Sequence, residues 1–314
     1  MVIKNFFSKK SFNRIEAESI VTKFYRCILE RSPDKNGLVH HVSNISNLNY
    51  TDSVGNLLNA FLGSDEYKQK FYNQEIDLNK LFNYKNNKKL INGMPVAHVT
   101  SLGSFCLTSS ILKGNGLKKF SLPFDWIFSS PEVVIDCLEN NFSIFLNSKY
   151  YQSILKRKDG RTEKGTEHLY YKEFFGISDM FTHHDLNVKE DFEYIKRCVD
   201  RFQNLLKLDD GKLFVILDPE NKNIKDVENV FLRLSNVLMS KTNNSALLYI
   251  QLDAPTNEVG CSSMLKISEM DYHKLYKYKP SSQNDGVSFL HDFDNIPIFN
   301  LIYNYQFLLK NSIV

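Results

Sequence analysis

Two apolar runs, Leu213-Phe-Val-Ile-Leu217 and Ala246-Leu-Leu-Tyr-Ile-Gln-Leu252, the second broken only at Gln251, constrain this chain more than any other feature. A strand with one wet face alternates apolar and polar residues, whereas a run that is apolar throughout belongs to a strand covered on both faces. Each run ends at an aspartate, Asp218 or Asp253. The stretch from Phe192 to Leu208 before the first run has helical spacing, with Ile195, Val199, Phe202 and Leu206 on one side, and Val227 to Met239 between the runs is helical too. Strands alternating with helices predict an α/β fold, a mostly parallel sheet flanked by helices.

The same alternation extends in both directions. Ala97 to Ser101 reads as an earlier strand, followed by a helix around Leu107 to Lys113. Ser121 to Phe128 reads as extended. Ser130-Pro131-Glu132 opens a helix, because serine caps, proline suits the first position and glutamate suits the first turn. Phe142 to Leu146 reads as a short helix, Tyr151 to Glu167 as a loop or hairpin, and Leu169-Tyr-Tyr and Met180-Phe-Thr as short strands. Leu275 to Tyr278 is a further strand, and Ile298 to Leu309 a closing amphipathic segment.

Upstream the pattern is purely helical. Ile20, Phe24, Cys27 and Ile28 recur at helical spacing, and the helix stops near Ser32-Pro33. A second helix follows from Leu38, a third carries Val54, Leu57, Leu58 and Phe61, and Ser64 caps a short last one. The polar stretch centred on Asn83-Tyr-Lys-Asn-Asn-Lys-Lys89 is the most linker-like in the chain. The expected organisation is a small all-helical domain over 1–76, a linker over 77–92 and an α/β domain over 93–314.

Composition narrows the function. A net charge of +3 with dispersed basic residues gives no nucleic-acid footprint. No run approaches the roughly 20 apolar residues of a membrane span. Five cysteines without a CxxC pair or zinc spacing fit a reducing, cytoplasmic setting. There is no GxGxxG and no Walker A, and no cofactor is called for.

In a parallel sheet ligands bind beyond the carboxyl ends of the strands. Cys106, His183, Asp218 and Asp253 all follow predicted strands, and the pattern expects them at one rim. Ser101, Gly103 and Ser104 form a tight turn after the first strand and deliver Cys106 to a helix N-terminus, where unpaired amides favour a thiolate and can hold an oxyanion. His183 and His184 are candidate bases, and on an extended segment only one of them can serve the site. Asp185 can orient the imidazole, as can Asp125, which equally suits a structural role between apolar neighbours. Trp126 is a stacking or core residue. His291-Asp-Phe-Asp294 is a second histidine–carboxylate cluster whose spacing matches no strong metal motif.

Two resemblances bear on these residues. Ser101-Leu-Gly-Ser-Phe-Cys106, Pro123-Phe-Asp-Trp-Ile-Phe-Ser129, His184-Asp185 and the helix before Leu213 make the segment from about 97 to 300 resemble the DUF1796 family, described as papain-like cysteine peptidases. The resemblance implies Cys106 as nucleophile, with His184 and Asp185. Phe24-Tyr25-Arg26, Leu29-Glu-Arg-Ser-Pro-Asp-Lys-Asn-Gly37 and Phe61-Leu-Gly-Ser-Asp-Glu-Tyr67 look like the DUF4214 family, although His40 and His41 stand where that family usually has an aromatic. Such units accompany surface-polysaccharide and glycosyltransferase proteins, which implies an accessory docking role toward a protein partner.

Two functional expectations follow. One is a cysteine-dependent hydrolase or acyl transferase with catalytic Cys106, His184, Asp185 and Asp125. The other is a glycosyltransferase or carbohydrate-binding protein, with Asp125, Asp218 and Asp253 holding hydroxyls. In either case Ser101, Gly103, Ser104, Trp126, His183, Asp218, Asp253 and His291 line the substrate, a small molecule, glycan or acyl compound.

Overall fold

The computed structural model describes residues 14–29, 31–45, 56–57, 60–61, 63–67, 88–156, 162–219, 224–256, 262–291 and 294–312. The chain divides into two compact units, one spanning 1–87 with 256–261 and the other 88–255 with 262–314. Most of the 77–92 segment read as a linker lies outside the described residues, as do Val54 and Leu58.

The first unit packs α1 (Arg14–Ile28) against α2 (Lys35–Ile45). Its short connection is held by charge. Arg31 pairs with Glu66, from its Nη2 to Oε2 at 2.6 Å, and lies 4.7 Å above the Tyr25 ring. Asp34 Oδ1 accepts the Gly37 amide at 2.8 Å. A Cβ on Gly37 would collide with the Tyr25 hydroxyl, so only glycine allows this approach. Ser64 Oγ accepts the Tyr67 amide at 3.1 Å, the cap expected from sequence. His41 packs on Phe61 with ring centroids 4.9 Å apart, and His40 meets Asn44 at 3.1 Å.

The second unit is built on a five-stranded sheet. Its strands are β1 (Val96–Ser101), β4 (Gly211–Pro219), β5 (Ser245–Leu252), β6 (Ser263–Met270) and β7 (His273–Lys279), in the order β1-β4-β5-β7-β6. The first four in that order are parallel, and β6 adds an antiparallel edge. The continuous apolar runs have the predicted cause. Phe214, Ile216, Leu247 and Tyr249 face one core, while Leu213, Val215, Leu248 and Ile250 face another. Helices α4 (Pro131–Glu139), α6 (Lys189–Lys207) and α7 (Ile224–Lys241) contribute to the first core, and α3 (Cys106–Gly114) and α8 (Asn295–Ile302) to the second. The result is a mostly parallel sheet flanked by helices.

Several local expectations change. Ser121 to Phe128 is a series of turns and bends, and so is Phe142 to Leu146. Between α4 and α6 the chain makes a hairpin, one of the two expected alternatives for 151–167, from β2 (Tyr151–Lys156) and β3 (Thr162–His168), and then α5 (Leu169–Phe175). Leu169-Tyr-Tyr, expected as a strand, is therefore helical. His168 caps it by accepting the Tyr171 amide on Nδ1 at 3.5 Å, and Tyr171 packs with Phe175 one turn on. Strand β6 has a mixed, largely exposed pattern and gave no sequence signal. Met180-Phe-Thr pairs with the hairpin through one bridge, Phe181 to Thr166.

Candidate functional site

The site begins with the turn between β1 and α3. Gly103 and Ser104 both have left-handed backbones, with φ of 85° and 70°. Gly103 has no substitute here, since a Cβ would lie 2.7 Å from Ser129 Oγ and 3.0 Å from the Phe124 carbonyl oxygen. Ser101 Oγ accepts the Gly103 amide at 3.1 Å. Thr108 closes the turn onto the sheet by donating to the Gly103 carbonyl at 3.3 Å and accepting the Leu217 amide at 3.2 Å. Cys106 is the first residue of α3 and half-buried. Phe105 precedes it with an extended backbone, and no side chain caps the helix.

Ser104 joins two other strands to this turn. Its hydroxyl donates to Asp218 Oδ1 at 3.1 Å, and Tyr249 donates to Asp218 Oδ2 at 2.6 Å. Burial, with the Asp218 carboxylate beside it, pushes the Tyr249 phenol well above its usual range. The loop before α4 is stapled to the turn. The Ser129 amide donates to the Ser104 carbonyl at 3.0 Å, and the Ser104 amide donates to Ser129 Oγ at 3.3 Å. Over these groups, beyond the carboxyl ends of β1 and β4, lies a cavity of about 390 Å³. Ser104, Phe105, Phe128, Ser129 and Pro219 line it, and the segment after α5 and Asn284 complete it. This is where a parallel sheet is expected to bind ligands.

His184 has a carboxylate partner, supplied by a residue other than the one expected. Its Nδ1 lies 3.1 Å from Asp191 Oδ1, in the first turn of α6, and the Asp185 amide donates to Asp191 Oδ2 at 2.8 Å. The Asp185 carboxylate instead accepts the Ser153 hydroxyl at 2.7 Å and the Asn187 amide at 3.1 Å. With Asp191 on Nδ1, the proton sits there and Nε2 is left as the basic nitrogen. His184 also stacks on Tyr194, with centroids 4.9 Å apart, whereas His183 is exposed.

The remaining candidates have other surroundings. Asp125 is 1% exposed and fully engaged: Ser109 donates to Oδ1 at 3.0 Å, and the Leu122 amide and Lys118 ammonium reach Oδ2 at 2.6 and 2.7 Å. Burial pushes its carboxyl upward, against the pull of Lys118. Trp126 is half-buried, with Lys113 and Lys118 each 5.6 Å from its ring centroid. Asp253 pairs with Lys277 at 3.2 Å and accepts the Ala254 amide at 2.9 Å. His291 donates its amide to Ser282, and Asp294 beside it receives the amides and hydroxyls of Ser281 and Ser282. Among the described residues no group of three or more His, Cys, Asp or Glu is arranged to hold a metal ion. No described helix is long and apolar enough to cross a membrane.

Three partners were not singled out by sequence reasoning: Asp191 on His184, Tyr249 on Asp218 and Ser129 on Ser104. Tyr249 reads in sequence only as one member of an apolar strand and Ser129 only as the end of the Pro123–Ser129 motif, and the fold alone brings each to its partner.

Residues 97–251, from β1 into β5, match the family model described as "Putative papain-like cysteine peptidase (DUF1796)". The matched span includes Cys106, Asp125, His184 and Asp218. No match was found among curated proteins or among solved structures.

Proposed function

We propose that the α/β unit is a thiol-dependent acyl-transfer enzyme, a hydrolase or acyl transferase, with Cys106 as its nucleophile. The observation that carries this reading is the setting of Cys106, a half-buried thiol that heads a helix with no side-chain bond from its N-cap residue and directly follows Phe105, a residue lining the cavity. Amides of a first helical turn lower a thiol pKa and can hold the oxyanion of a tetrahedral intermediate. The family match over 97–251 supports the same chemistry in general terms.

His184 is the preferred base, because its Nδ1–Asp191 pair leaves Nε2 to take a proton. In the proposed cycle the Cys106 proton passes to an imidazole and the thiolate attacks the acyl carbonyl carbon. The carbon–leaving-group bond then breaks, the leaving group takes that proton, and a thioester remains. Water or another acceptor resolves the thioester. Four parallel strands argue for acyl transfer in general rather than for proteolysis on a papain-like frame. Of the aspartates the carbohydrate reading invokes, Asp125 is closed off and Asp253 is paired with Lys277, so that reading has less behind it. The helical unit keeps its proposed docking role on resemblance alone.

The test is alkylation of each cysteine against pH. Cys106 is expected to react at pH values below the ordinary thiol pKa of about 8.5, and its reaction is expected to shift upward in His184→Ala. Cys106→Ser identifies the signal. A Cys106 that titrates like a free thiol, or resists alkylation in the folded protein, overturns the reading.

A further inference from the structure

The cavity at the rim is lined by groups of two chemistries. Phe105, Phe128, Ile177 and Pro219 give it apolar walls. Ser129 also lines it, only 7% exposed and bonded to the β1–α3 turn. The Ser129 oxygen accepts the Ser104 amide, and the hydroxyl proton meets no acceptor among the described residues. A buried hydroxyl proton facing a cavity is a donor awaiting an acceptor. A cavity of about 150 Å³ is enough for benzene, and this one, near 390 Å³, is more than twice that size.

We infer that this cavity holds the acyl side of the substrate, an apolar chain or ring on the acid component, and that Ser129 donates its hydroxyl proton to the acyl carbonyl oxygen. The inference rests on the thiol reading for its chemistry, since Phe105 and Cys106 are consecutive and the carbonyl must reach the sulfur. It adds the substrate class that reading leaves open. Apolar acyl groups are preferred because the four apolar side chains offer them contact area that a charged group cannot use.

The experiment uses the full chain carrying Cys106→Ser, so that no covalent step intervenes, with 3-phenylpropionamide as probe and acetamide as control. Calorimetric titration is expected to give 3-phenylpropionamide about tenfold or more tighter binding than acetamide, the equivalent of burying one small apolar group. Ile177→Trp, which fills the cavity, is expected to remove most of that advantage, and Ser178→Trp provides a second filling variant if the first melts early. Ser129→Ala is expected to weaken both amides by a similar factor, since both carry the carbonyl. Equal binding of the two amides, or binding indifferent to both filling variants, overturns the proposal. The two readings fail separately. If the probe binds as expected while wild-type Cys106 alkylates like an ordinary thiol, the cavity stands and the thiol enzyme falls. If Cys106 is activated but the probe does not bind, the acyl pocket falls alone.

Discussion

Gly103 decides whether Cys106 is presented at all. Its φ of 85° lies where a side chain costs energy, and the missing Cβ is the space that Ser129 Oγ and the Phe124 carbonyl occupy. Gly103→Ala therefore adds backbone strain and a clash with two groups that cannot both retreat, because Ser129 is tied to Ser104 from both directions. The expected loss is about 2–4 kcal/mol in urea unfolding, with any reactivity of Cys106 reduced in the fraction that still folds. An unchanged midpoint would mean that the loop before α4 moves away easily and that the turn is less fixed than its bonds imply. Ser104 occupies the next left-handed position at φ 70° and spends its side chain on Asp218. Sequence order exposed the tight turn and the cysteine after it. It could not expose Ser129 or Tyr249, whose partners stand 25 and 31 residues away.

At the scale of elements, the long periodic pieces were legible and the short ones were not. β4, β5, α6 and α7 announced themselves because burial on a sheet face or helix stripe leaves a pattern many residues long. α5 did not, since its helical state comes from a cap and an aromatic cluster rather than from periodicity. His168 is that cap. It is wholly buried, accepts the Tyr171 amide on Nδ1 and meets the Ile144 carbonyl at 3.2 Å through Nε2, so it is held neutral. Burial drives its pKa down to about 4, and burial drives His273 at the start of β7 down to about 4 as well. Between these values and an unfolded pKa near 6.5 the unfolded chain binds more protons than the folded one. The stability these two histidines contribute is thus fully present above about pH 6.5 and is lost as pH falls toward 4, at up to about 3 kcal/mol each. Unfolding free energy measured from pH 7 to pH 4 should fall along this course. His168→Gln should remove about half of that fall, leaving the part due to His273, while lowering stability at neutral pH. A variant with the wild-type slope would remove His168 as a source of acid sensitivity.

At the scale of the α/β unit, the open question is its first edge. β1 lies at the end of the sheet yet every one of its residues is buried, the polar His98, Thr100 and Ser101 included, so an open edge there would be a liability. The chain resolves this with its last described segment. Val96 donates to the Gln306 carbonyl at 2.7 Å, Leu308 donates to the Val96 carbonyl at 2.9 Å, and Lys310 donates to the Ala97 carbonyl at 3.0 Å. Lys89 and Gln306 bond to each other's neighbourhood in the same way, Lys89 to the Asn304 carbonyl and Gln306 to the Lys89 carbonyl. Side chains reinforce the backbone. Tyr305 is 2% exposed, and Lys310 Nζ meets both oxygens of Asp210 at 2.8 and 2.9 Å, the carboxylate that also holds His98 at 3.1 Å. The sequence showed residues 298–309 only as an amphipathic close, because a segment that completes a sheet edge by backbone bonds carries little side-chain pattern. Removing residues 305–314 should therefore act on β1, far away in sequence and directly ahead of the candidate nucleophile. Several backbone bonds at about 1 kcal/mol each, plus one buried tyrosine, predict a loss of several kcal/mol, together with concentration-dependent association through the uncovered edge. Thermal melts and size-exclusion chromatography at two concentrations distinguish the outcomes. Lower stability with association supports the edge-covering role, while a monomer of unchanged stability would mean that β1 holds its place, and Cys106 with it, without this segment.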